Sequence, residues 1–202
     1  MTTINSTTLS SPTKYIVLAA ASVATGALAG FIGYVIGQYF YFIFVFPFIL
    51  LVIGAILYFP SLKFLRTSSW LFNAFCGLLM GLMILFTFHY VEYSLFRARN
   101  VSTFEATQHL DQADASKAVD AFLQKQTGAG GFIGFLKYNN AQWNPYVYYF
   151  TQNGIVTRTF KIYLHNRNGW VYLAGEAAVL LGGSALLGFL AGGRLFLKKK
   201  TA

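Results

Sequence analysis

Glu176 lies about 9 Å of helical rise past Trp170, inside an apolar run that covers residues 171–190. A carboxylate placed in hydrocarbon costs about 3 kcal/mol on insertion scales, so intramembrane acids pair, line a wet cavity or stay protonated. His89 and Glu92 follow another apolar run, residues 70–88, and their three-residue spacing puts both on one helical face. If both runs cross a bilayer, His89 and Glu176 share a leaflet. A hydrogen bond between them would neutralise both, and a His–carboxylate pair can also relay protons or help to hold a cation. The plain structural reading of Glu176 is an acid near the interface, wetted by headgroups.

Other chemistry lacks its carriers. His89 and Glu92 can supply two metal ligands from one helix, but the only further imidazoles are His109 and His165, so no metal site and no cofactor are expected. Cys76 is the single cysteine and falls in an apolar run, which excludes an intrachain disulfide and a cysteine-built zinc site. The cluster Thr127-Gly128-Ala129-Gly130-Gly131 has the glycines of a phosphate loop without its Lys-Ser/Thr, and reads as a flexible joint. There is no Gly-x-Ser-x-Gly elbow, no His-Glu-x-x-His and no spaced acidic pair within an apolar run. Catalysis is therefore the least favoured class.

The elements that must position these residues are written in the composition. Hydrophobic residues make up 56% of the 202-residue chain and charged ones 10%, against roughly 25% charged in a soluble domain. A bilayer core of about 30 Å needs about 20 helical residues. Residues 15–36, 39–59, 70–88 and 171–190 meet that length. The sequence thus predicts a membrane all-α fold: a four-transmembrane-helix bundle with a small α+β extramembrane insert between helices 3 and 4. Its divisions are a disordered tail over 1–13, helices 1–3 within 14–91, the insert over 92–169, helix 4 over 170–197 and a basic tail over 198–202. Gly37 and Gln38 alone separate the first two runs, so a tight hairpin is expected there, the alternative being a shallower re-entrant unit. Ala27-Leu28-Ala29 has the small residues of a leader cleavage site, but the apolar run continues through Phe31, Ile32, Tyr34 and Val35, so the first run is expected to remain as a span.

The net charge of +9 is expected to report topology and contact with anionic lipid, because no basic motif interleaved with aromatics points to nucleic acid. Lys14, Lys63, Arg66, Arg194, Lys198, Lys199 and Lys200 fall on one side of a four-span arrangement, with no acid among them. Basic residues near span ends stay in the cytoplasm. Both termini are therefore expected inside, most simply at the plasma (inner) membrane, with insert 92–169 outside; Arg97 and Arg99 pull the other way.

Small residues mark the contact faces. Ser22, Gly26 and Gly30 recur at every fourth position of the first span, Gly77 and Gly81 in the third, and Ser184, Gly188 and Gly192 in the fourth. Such spacing lets helix backbones approach closely, within one bundle or between copies in a homo-oligomer. In the insert, Ser102-Thr103-Phe104-Glu105 fits a capping box opening a short helix to Leu110, and a second helix is expected over 115–127 with Gly128 as its stop. Asn153-Gly154 between residues 146–151 and 155–164 predicts a hairpin. The aromatics Trp143, Tyr146, Tyr148, Tyr149 and Tyr163 would pair across it or meet the bilayer. The functional expectation is a non-catalytic accessory, assembly or scaffold subunit that binds other membrane proteins. The alternative is a small proton or cation transporter or channel using Glu176 and His89.

Overall fold

The structure is a computed structural model and describes residues 11–39, 45–65, 69–142, 147–151, 154–158 and 167–193. Four of its helices are long and apolar enough to cross a membrane. They are α1 (Ser11–Gly37), α2 (Phe46–Leu65), the membrane part of α3 (Trp70–Gln108), and a composite crossing of α6 (Arg167–Ala177), a π-helical turn (Ala178–Gly182) and α7 (Gly183–Gly193). Outward faces stay apolar, as Ile56, Phe64, Leu71 and Val171 show; that is how a helix behaves when lipid is its solvent. The first helix begins at Ser11, inside the tail expected over 1–13. Pro47 takes the second position of α2, where a missing N–H costs nothing, and the helix continues through Pro60 to Leu65 instead of stopping at residue 59.

Glycines decide how the helices meet. A Cβ at Gly26 would come 2.5 Å from the carbonyl oxygen of Met80, and one at Gly30 would come 2.6 Å from that of Ile84, so α1 lies backbone-close on α3. On the other flank of α3, Cβ atoms at Gly77, Gly81 and Gly188 would collide with the carbonyl oxygens of Ser184, Leu180 and Asn73. Ser22 and Ser184 are fully buried beside these contacts; the surroundings of Gly192 lie outside the described residues. The core between the helices is built from Leu18, Leu50, Tyr58, Met80, Ile84, Phe88 and Leu180.

The insert departs from the expected arrangement at its start. No helix opens at Ser102, because α3 runs unbroken from Trp70, capped by Ser69, to Gln108. The hydroxyls that suggested a cap turn back along the helix instead: Thr103 donates to the carbonyl of Arg99 and Thr107 to that of Thr103. His109 ends α3 in the left-handed region at φ 54°. Helix α4 (Gln112–Thr127) follows, with Asp111 accepting from the Asp114 N–H at 2.8 Å and Gly128, at φ 74°, closing its C-terminus. The glycine cluster is a hydrogen-bonded turn into α5 (Gly131–Gln142), a helix the sequence reading did not anticipate. α5 lies against the upper half of α3 through an aromatic seam: Phe86, Tyr90, Tyr93 and Phe96 on one side, Phe132, Phe135 and Tyr138 on the other. Arg97 of α3 adds a clasp to Ser116 and Asp120 of α4. The remaining described insert backbone is one antiparallel ribbon, β1 (Val147–Thr151) against β2 (Gly154–Arg158), with Thr151 opposite Gly154. Gln152, Asn153 and the side chains of the ribbon aromatics lie outside the described residues.

Candidate functional site

The expected His–carboxylate cluster forms at the level where α3 leaves the apolar part of the bundle. His89 Nδ1 lies 2.9 Å from Glu92 Oε2, one helical turn on, and His89 Nε2 lies 3.3 Å from Glu176 Oε2 on α6. Burial rises from Glu92 to Glu176: the Glu92 side chain is 27% exposed and that of Glu176 is 0%.

Both imidazole nitrogens face carboxylate oxygens. A neutral imidazole donates from one nitrogen and accepts at the other, so both contacts are hydrogen bonds only where an imidazolium donates twice or a carboxylic acid donates to the ring. Oε1 of Glu176 is buried with no hydrogen-bond partner among the described residues. An orphan acceptor of that kind costs about 1–3 kcal/mol.

The fourth crossing delivers Glu176 to His89 through its π turn. Glu176 meets His89, Leu180 backs on Gly81, Ser184 backs on Gly77, and Gly188 backs on Asn73. The contacts step by four residues along the fourth crossing, and by four along α3 from Gly81 to Asn73. An α-helix gains about 40° with every four residues, so the register would drift off α3 over these positions. A π turn takes more residues per revolution, which cancels part of the drift.

Of the remaining candidates, His109 sits at the far end of α3, about 30 Å of helical rise from His89, and His165 lies outside the described residues. The two nitrogens of His89 point in opposite directions, so Glu92 and Glu176 do not converge on one point. Among the described residues no group of three His, Cys, Asp or Glu is placed to hold a metal ion. Cys76 is buried. The Arg97 clasp and the π turn were not in the sequence reading. The clasp links residues far apart in sequence, and the only local hint of the turn is the pair Gly182-Gly183.

Comparison with known proteins found no matching family model, no similar curated protein and no similar solved structure.

Proposed function

We propose that the protein is a non-catalytic membrane component, an accessory or assembly subunit that binds other membrane proteins through its insert and its lipid-facing helices. The observation that carries this reading is the single helix α3, which runs from Trp70 to Gln108 and holds α4 and α5 outside the bundle by the aromatic seam and the Arg97 clasp. A rigid platform rooted in a membrane helix suits the presentation of a surface to a partner. The paired ribbon supports a small α+β character for the insert. The polar cluster fits the same reading, because His89 engages both carboxylates and fastens α6 to α3.

The basic residues beside the span ends support an insert outside the cytoplasm and termini within it, in the plasma (inner) membrane. Cysteines introduced at Ser61 and Thr151, with Cys76 replaced by Ala, should label from opposite sides with an impermeant thiol reagent. Labelling of both from outside overturns the four-span arrangement, and labelling of the Ser61 position alone from outside overturns that orientation. For the function itself, chemical cross-linking in the native membrane followed by mild-detergent purification should recover a defined protein partner or a second copy of the chain. A protein that emerges alone, without cross-links, removes the accessory reading.

A second reading, a small proton or cation transporter, draws on the graded burial from Glu92 through His89 to Glu176 and on the unpartnered Oε1. Against it stand the backbone contacts of Gly77 and Gly81 with the fourth crossing, which fill the interior below the cluster. Proton flux in reconstituted liposomes that vanishes on Glu176→Gln would favour transport; flux unchanged by that substitution eliminates Glu176 from any pathway.

A further inference from the structure

Beside the polar cluster lies a groove-like cavity of about 400 Å³, within the range of about 300–1,000 Å³ found for small-molecule sites. One wall is the membrane part of α3 from Leu82 to His89, another is α6 from Trp170 to Ala177, and Phe132 and Leu136 of α5 form the roof. Every lining residue except His89 is apolar.

We infer that this cavity holds the hydrocarbon tail of a bilayer lipid. Three observations select that occupant. The groove is cut into two helices long and apolar enough to span the membrane, so the phase at its mouth is hydrocarbon. A recess lined by apolar side chains has no polar partners to hold water and takes apolar guests. His89, its one polar residue, has both nitrogens engaged by Glu92 and Glu176 and offers no free donor to a headgroup. The tail therefore enters from the level of Trp170, half exposed where indole side chains mark the headgroup boundary. It runs past Ala174 to Ala177, about 10 Å of helical rise. The two alanines make the space; larger side chains there would close it. The site lies between bundle and insert, so an occupying tail helps to seat α5.

The test uses the full chain in phosphatidylcholine vesicles doped with a phosphatidylcholine that carries a diazirine in one acyl chain. After photolysis, label should concentrate on residues 82–89 and 170–177 in excess of its density around Ile56, a lipid-facing residue on α2. Ala174→Phe and, separately, Ala177→Leu should abolish that excess and leave label at Ile56 unchanged. With two independent fillings, one that fails to fold does not end the test. Label spread evenly over all lipid-facing residues, or an excess that survives both fillings, overturns the inference. So does a second protein found cross-linked in the groove, which would make it a protein-docking site.

Discussion

Glu176 and Ser184 stand on one face of the fourth crossing although eight residues of plain α-helix would separate them by about 80°. Glu176 reaches His89 while Ser184 presses its carbonyl on Gly77, both on α3. The intervening π turn, Ala178–Gly182, reconciles these contacts. A π turn is one extra residue in an α-helix, and its presence here sets which side chain faces the polar cluster.

That relationship makes a prediction about length. Deleting Gly182, where an added Cβ would meet nothing, leaves Glu176 and Ser184 seven positions apart, within about 20° of two full α turns. The deletion should keep the His89 contact and hold thermal stability in detergent close to the parent. Inserting an alanine after Gly182 should instead swing Glu176 away from His89 and lower the melting temperature. If the deletion proves as damaging as the insertion, the π turn has another role.

The polar cluster predicts an order among substitutions. His89→Ala leaves Glu176 buried without its partner and should cost about 3 kcal/mol or more, as when one half of a buried pair is removed. Glu176→Gln keeps a hydrogen-bonding group of the same shape beside His89 and cannot ionise. Its cost should stay near the value of one ordinary hydrogen bond, about 1 kcal/mol. Denaturant titration of the detergent-solubilised protein reads both. The reverse order would mean that the charge of Glu176, and not its pairing, supports the fold.

Glycine contacts divide into two groups. Gly81→Ala drives a Cβ into the Leu180 carbonyl, a backbone atom that cannot step aside, and overpacking of that kind costs about 1–3 kcal/mol. Gly175→Ala meets nothing and should be neutral or stabilising by about 0.5–1 kcal/mol through helix entropy. Parallel thermal melts of the two variants check the contrast. Equal effects would mean that α3 and the fourth crossing do not touch backbone to backbone.

The membrane helices were legible because run length and the lack of charge are one-dimensional signals. The pairing of His89 with Glu176 was legible for a related reason: depth from the interface can be counted along each run, and equal depth makes contact possible. The insert was not legible in the same way. Between Gly81 and Gly128 the chain contains no glycine and no proline, which favours one long helix, yet Ser102-Thr103-Phe104-Glu105 imitates a beginning. The true end of α3 is hidden as well, since His109 adopts the left-handed conformation that glycine usually marks. Helix α5 and the π turn answer to partners on α3, and no local pattern reports such fits.

The continuity of α3 can be tested at one exposed position. In a helix that opened at Ser102, Thr103 would be its first residue, a place where proline is favoured because its missing N–H has no partner to lose. In the observed helix Thr103 is interior: its side chain is exposed and its hydroxyl donates to the Arg99 carbonyl one turn back. Proline there breaks the ladder and clashes with the preceding turn, a cost of about 3 kcal/mol. Thr103→Pro should therefore weaken hydrogen-exchange protection over residues 97–108 and loosen the clasp that Arg97 forms with Asp120. Thr103→Ala, which removes only the hydroxyl, should leave that protection in place. A proline variant as protected as the parent would return the insert to a separate helix starting at Ser102, and would remove the rigid connection on which the proposed platform role depends.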